Sequence, residues 1–179
     1  MKNKIIIVSL LLFSGFASAQ QPHKCQPENI PASTPTERFV DNADGTVTDT
    51  LTDLVWKKCA EGLSGADCSE GEPLEENWAE ALLHLAEVNK KGDSGYKDWR
   101  MANIRELSTI VEYQCVYPAV NSEVFPNTPS IQIWTSSPYH FYTHYSWHVD
   151  FGEGRATYDE RIRDKGLRLV RDLGDKNAK

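Results

Sequence analysis

The chain has 179 residues, with 19 Lys and Arg against 26 Asp and Glu, a formal net charge of −7 and 40% hydrophobic residues. That acidic excess repels polyanions, so nucleic acid and anionic lipid are not expected partners. After the first residues no stretch approaches the roughly 20 apolar residues of a membrane-spanning helix, and the length suits one domain with a sizeable core.

Lys2 and Lys4 precede an apolar run, Ile5 to Phe13, and then Ala17-Ser18-Ala19. This charged, hydrophobic and small-residue order reads as a secretory signal over residues 1–19, cleaved after Ala19. A lipoprotein signal needs a cysteine where Ser18 stands. Processing leaves 17 basic against 26 acidic residues, a net charge of −9 with His neutral, in a product expected to be soluble and exported to the periplasm or beyond. Cys25, Cys59, Cys68 and Cys115 are an even set, so two disulfides are expected in an oxidising compartment. Of the three possible pairings, the favoured one joins Cys59 to Cys68 around a short loop and Cys25 to Cys115, tethering the N-terminal tail. There is no CxxC pair, which argues against a structural zinc site.

Residues 20–36, rich in Pro, Gln, Ser and Thr, read as an extended tail; 37–172 form the domain and 173–179 a disordered tail. In RFVDNADGTVTDTLTDLVWKK the apolar residues fall in three short runs, a β-meander whose Asp44-Gly45 supplies the positive-φ positions of a tight hairpin. Asp41, Asp44 and Asp49 also resemble a calcium loop, but without the spacing or the bidentate Glu of an EF-hand.

NWAEALLHLAEVNKKG predicts a helix: Asn77 and Glu80 make a capping box, Trp78, Leu82 and Leu85 share a face, and Gly92 fits the C-terminal cap. His84 is expected to be exposed or satisfied by a partner. NIRELSTIVEYQ predicts a second helix, capped by Asn103 and Glu106, ending near Cys115. Between the two, Trp99 anchors a turn and Arg100 locks the adjoining backbone. Residues 116–129, with three prolines, return Val120 and Phe125 to the core. Gly166 to Arg171 predicts a last strand. The basic series Arg155, Arg161, Arg163, Lys165, Arg168 and Arg171 is interrupted by acids and reads as a solvated, internally paired surface.

The richest stretch is IQIWTSSPYHFYTHYSWHVDF, residues 131–151. Its two ends alternate with period two, as half-buried strands do. Between them Pro138 to Tyr145 carries Tyr139, His140, Phe141, Tyr142, His144 and Tyr145. Trp134, Trp147 and Phe151 read as core, but the loop aromatics are too many to bury cheaply in a domain this size, and exposed aromatic clusters mark contact sites. Ring faces stack on sugars or anchor protein interfaces while His and Asp supply directional hydrogen bonds. The candidate ligand-binding set is therefore Trp134, Tyr139, His140, Tyr142, His144, Tyr145, His148 and Asp150.

Other chemistries are weaker. His140, His144 and His148, or His148 with Asp150, recur at strand spacing but lack a base at HExxH spacing. Ser136, Ser137, His148 and Asp150 contain the letters of a triad without GxSxG. Cys115 is the remaining nucleophile and is expected to be oxidised. No cofactor, metal or catalytic residue is expected.

RFVDNADGTVTDTLTDLVWKKC, NWAEALLHLAEVN, Gly95 to Arg100 with NIRELSTIVEYQC, PAVNSEVFPNT, IWTSS, WHVDFGEG and GLRLVR, in that order, resemble the Lcl C-terminal domain family, named for a bacterial collagen-like adhesin. The resemblance spans about Arg38 to Arg171; it departs at Met101-Ala102, where the family usually has Leu-Pro. It implies an α+β, C-type-lectin-like fold with two main helices on a twisted, mostly antiparallel sheet. Fold alone does not choose a function. The family's namesake binds sulfated glycans, a ligand opposed here by the charge of −9. The expectation is a non-enzymatic, adhesin-like module for a glycan or surface protein; the alternative is an envelope protein using the same loop as an oligomer or partner interface.

Overall fold

The computed structural model describes residues 22–174. The signal segment, 1–19, and the last residues of the predicted C-terminal tail, 175–179, lie outside the described residues. In chain order the strands are β1 (Lys24–Cys25), β2 (Phe39–Asp41), β3 (Thr46–Asp49), β4 (Leu54–Lys57), β5 (Leu63–Ser64), β6 (Glu70–Gly71) and β7 (Glu75–Glu76). Helix α1 (Trp78–Lys91), β8 (Arg100–Met101), helix α2 (Ile104–Ser108), β9 (Cys115–Val116), β10 (Gln132–Pro138), β11 (Tyr145–Asp150), β12 (Arg155–Glu160), β13 (Lys165–Gly166) and β14 (Leu169–Asp172) follow. One five-stranded sheet has the order β2-β3-β4-β14-β8 and the other β12-β11-β10-β13-β7. The architecture is mixed α+β, mostly sheet, with both expected disulfides, Cys25–Cys115 and Cys59–Cys68.

The meander forms where the short apolar runs place it. In the β2–β3 turn the positive-φ residues are Ala43 at 59° and Gly45 at +86°, so the expectation holds for Gly45 and is corrected at Asp44, whose place Ala43 takes. Asp44 caps this turn by accepting from the Thr46 N–H at 3.0 Å. The three carboxylates of the calcium-like spacing serve separate partners. Asp41 accepts from Lys58 at 2.6 Å, and Asp49 is held by the Arg38 guanidinium.

Two apolar clusters hold the fold. Val47, Leu54, Trp56 and Val170 of the first sheet meet Ile133, Val149 and Phe151 of the second, closed by Leu107, Ile110 and Phe125. Val55, Trp99, Met101, Trp134 and Leu169 form the other beneath α1, with Trp78, Leu82 and Leu85 packed against it. Burying each large side chain stabilises the fold by about 1.5–3 kcal/mol relative to exposing it. Both helices start on the predicted capping boxes, at Asn77 and Asn103.

Further expectations are corrected. The second helix ends at Ser108, not near Cys115. Ile110 and Val111 are buried as their spacing implied, but in looser turns, because Glu112 leaves the helix path to hold the N-terminal segment. Its buried carboxylate accepts from the N–H and hydroxyl of both Ser33 and Thr34, at 2.8–3.0 Å. The extended tail, held at Cys25 as expected, is therefore also docked around residues 33–34, with Thr34 fully buried. The last strand is two strands in different sheets, broken at Leu167-Arg168, where the buried Arg168 donates to the carbonyls of Lys57 and Lys58 and to the Thr128 hydroxyl. The basic series is thus not all solvated surface: Lys165 and Arg168 are 3% and 1% exposed. At the C-terminal end Leu173 packs on the Trp99 cluster and its N–H donates to the Asp53 carbonyl at 2.9 Å, inside the supposed tail.

Candidate functional site

The hairpin of β10 and β11 pairs Gln132 with Asp150, Ile133 with Val149 and Trp134 with His148, then slips before Pro138 meets Ser146. The slip has a local cause. The Ser136 N–H donates to the Ala102 carbonyl at 2.8 Å, and Ser137 Oγ accepts from the Ile104 N–H at 3.0 Å, so β10 bends to serve the start of α2. β11 then pairs in continuous register with β12, from Tyr145 opposite Glu160 to Asp150 opposite Arg155.

Partners in an antiparallel pair share a face. Ile133 and Val149 point into the core from one face; further along that face Trp147, Tyr145, Tyr158 and Glu160 run out to the hairpin tip. There the loop folds back on itself: the Tyr139 N–H donates to the Tyr145 carbonyl at 3.2 Å, and Tyr145 to Tyr142 at 3.0 Å. Tyr139 lies at the centre, stacked on Tyr158 with centroids 3.7 Å apart and edge-on to Trp147 at 5.6 Å. Tyr142 approaches Tyr145 at 5.5 Å, and His144 lies 4.7 Å from Tyr145. His140 and Phe141 are in contact at 3.6 Å. Phe141, Tyr142 and Tyr158 remain 68%, 55% and 41% exposed. Such edge-to-face and stacked rings gain about 0.5–1.5 kcal/mol per pair beyond burial. This tip is a pre-assembled platform with apolar ring surface still in water.

Its polar rim is sparse. The Tyr145 hydroxyl donates to Glu160 Oε1 at 3.3 Å. Burial, followed by the Glu160 charge, pushes the Tyr145 phenol above its ordinary value. The hydrogen bond with Tyr158, then burial, does the same for Tyr139. Both rings stay neutral donors at physiological pH.

Residues 45–171, which run from the first hairpin turn to β14 and include this platform, match the model of the Lcl C-terminal domain. The chain belongs to that family. A comparison with curated proteins returns no match.

Within this Lcl C-terminal domain the candidate ligand-binding residues divide in two. Tyr139, His140, Tyr142, His144 and Tyr145 gather at the tip. Trp134 and His148 lie on the opposite face of the hairpin, 0% and 2% exposed, and cannot touch a ligand there; this corrects their assignment. They alternate with the platform residues along the strands, and that face is covered by α1. Trp134 Nε1 donates to the Glu76 carbonyl at 3.0 Å. His148 packs edge-on against it at 5.9 Å, and neither imidazole nitrogen has a hydrogen-bond partner among the described residues. Burial, then the nearby Lys165 charge, push the His148 ring down to about 4. Asp150 sits at the far end of β11, about 16 Å along the strand from Tyr145, where Oδ1 accepts from the Gly152 N–H at 2.8 Å. It shapes a turn.

His140, His144 and His148 do not converge, since the last is on the other face. Among the described residues the side chains grouped as metal ligands are His23, Cys25 and Cys115, and there the two sulfurs are bonded to each other. Sequence reasoning missed Tyr158 and Glu160 and set Trp147 aside as core. The signal was present: Arg155 to Glu160, given no element in the sequence reading, forms a strand that puts Tyr158 opposite Trp147 and Glu160 opposite Tyr145.

Proposed function

We propose that this chain is an exported, non-enzymatic, adhesin-like binding module of C-type-lectin-like type that takes a glycan or a surface protein on the hairpin-tip platform. The observation that carries this reading is the exposure of Phe141, Tyr142 and Tyr158 on a cluster already ordered by Tyr139 and Trp147. A domain gains nothing from leaving that ring area in water, and aromatic patches of this kind anchor sugars and protein epitopes. Pre-assembly lowers the entropy lost on binding. Family membership supports an adhesin-like role, and two disulfides support export. The acidic surface, with Glu160 beside the platform, favours a neutral or amine-bearing ligand over a sulfated one.

The test is a glycan-array and cell-surface binding screen of the mature protein beside Phe141→Ala/Tyr142→Ala, which removes exposed rings and leaves the packed ones. Binding by the parent that falls at least about tenfold in the folded variant supports the reading. Equal binding by the two proteins sinks it. Absence of any ligand, with self-association lost in the variant, gives the tip to an envelope-protein interface instead.

A further inference from the structure

Strand β12 closes one end of its sheet, and its outer side pairs with no strand among the described residues. Arg155, Ala156, Thr157 and Tyr158 are all exposed. Edge strands are ordinarily protected by charged side chains, above all Lys, by Pro, a bulge or a covering loop, and of these β12 carries only the charges of Arg155, Asp159 and Glu160, which are of both signs. This one has neither Lys nor Pro, and its register with β11 runs through six pairs without a bulge.

The outward groups can be identified. The Arg161 N–H donates to the His144 carbonyl at 2.9 Å, one step beyond the Tyr145–Glu160 pair. Hydrogen-bonded and non-bonded pairs alternate in an antiparallel ladder. Asp159, Thr157 and Arg155 therefore bond inward to β11, and the N–H and C=O of Ala156, Tyr158 and Glu160 point out of the sheet edge.

We propose that two copies of this chain associate through this edge, β12 against β12, about a twofold axis normal to the sheet, so that one sheet runs through both. Such an axis keeps every residue on its own face, and antiparallel partners must share a face, so the register has to centre on a residue. Centring on Tyr158 would set Arg155 opposite Arg161 of the second copy. Centring on Ala156 would set Glu153 opposite Asp159. Centring on Thr157 sets Arg155 opposite Asp159 twice, places Ala156 opposite Tyr158, and leaves a Thr157–Thr157 pair on the axis. It adds an opposite charge across the axis at both ends, to an Arg155 that meets Glu153 at 2.6 Å and an Asp159 that meets Lys165 at 2.7 Å within each copy, uses the outward groups of Ala156 and Tyr158 as hydrogen-bonded pairs, and gives the tyrosine ring a methyl-sized neighbour. Charge complementarity thus selects both the occupant and the register.

The association stands independently of what the platform binds, but it has a consequence for it. The axis puts both platforms on the same face, with each Tyr158 beside the dimer axis, a bivalent surface suited to repeated ligands. One six-residue edge falls at the small end of interface sizes, below about 1,200 Å², so the dimer is weak, with a dissociation constant of micromolar order or higher.

Sedimentation velocity of the mature protein from about 5 to about 500 μM spans that range. The expected result is a concentration-dependent monomer–dimer equilibrium. Ala156→Pro deletes an outward N–H without breaking a bond to β11, a position where an edge strand tolerates proline; it should weaken association at least about thirtyfold. Arg155→Glu faces Asp159 with a like charge and should weaken it about tenfold at low salt, the gap narrowing at about 0.5 M salt. Tyr142→Ala should dimerise like the parent. A parent that stays monomeric throughout, or a folded Ala156→Pro variant that dimerises as tightly as the parent, overturns the proposal. So does Tyr142→Ala abolishing the dimer, which would move the interface to the tip. Should Ala156→Pro fail to fold, Arg155→Glu decides: unchanged association at low salt overturns the proposal.

Discussion

His148 is the residue whose environment most departs from what its chemistry asks. It is buried with both ring nitrogens unpartnered, and its ring titrates at about 4 instead of near 6.5. The unfolded chain therefore binds a proton in a range where the folded chain does not. The stability this contributes is complete above about pH 6.5 and is lost as pH falls toward 4, to a total of about 3 kcal/mol. Thermal unfolding followed from pH 7 to pH 4 should show a falling midpoint in the parent. His148→Leu should flatten that slope and be no less stable at pH 7, since it also removes two orphaned polar atoms; a slope unchanged in the variant would refute this account. Glu112 acts in a lower window. Burial opposes its charge, but donors from Ser33, Gln114 and Thr34 outweigh that and hold the carboxyl below its ordinary 4.5. Its contribution is present above pH 4.5 and lost as acid protonates it. Glu112→Ala should cost about 2–4 kcal/mol at pH 7, measured by denaturant unfolding, because five donors from Ser33, Thr34 and Gln114 lose their acceptor.

At the scale of elements, what the sequence made legible followed from local rules. Capping boxes at Asn77 and Asn103 started both helices, and the Asp44-Gly45 turn placed the first hairpin, because each of these signals is satisfied within a few residues. The misreadings were set by distant partners. α2 stops early because Glu112 serves Ser33 and Thr34, some eighty residues back, and the last strand breaks because Arg168 reaches the carbonyls of Lys57 and Lys58. Arg168→Lys should destabilise by about 2–4 kcal/mol, since one ammonium cannot span three acceptors arranged for a planar fork; chemical denaturation showing less than about 0.5 kcal/mol would contradict its bracing role. The candidate site was half legible for the same reason. Aromatic density marked the Pro138–Tyr145 loop, but strand parity decides which neighbours reach it. Parity removes Trp134 and His148 and recruits Trp147 and Tyr158.

At the scale of the molecule, the disulfides divide the labour by loop length. Cys59–Cys68 spans 9 residues and Cys25–Cys115 spans 90. In the loop-entropy model, replacing the second pair by Ser costs about 2 kcal/mol more than replacing the first. Calorimetry of the two double variants should rank them in that order; the reverse order would contradict the role given to the N-terminal clamp. On the proposed reading the rest of the chain presents one hairpin. Sheet, helices and clamp fix β10, β11 and β12 so that their shared end carries rings into solvent without the core needing them. That claim has a direct reporter, because Trp147 is the one tryptophan of five placed on the platform; Trp56, Trp78, Trp99 and Trp134 all belong to or pack on the two cores. The decisive measurement is an NMR titration of the indole N–H signals with a ligand drawn from the binding screen. Movement of the Trp147 signal, with the other four still, is the predicted result; a ligand that binds while Trp147 stays still and another indole moves would contradict the platform as the site.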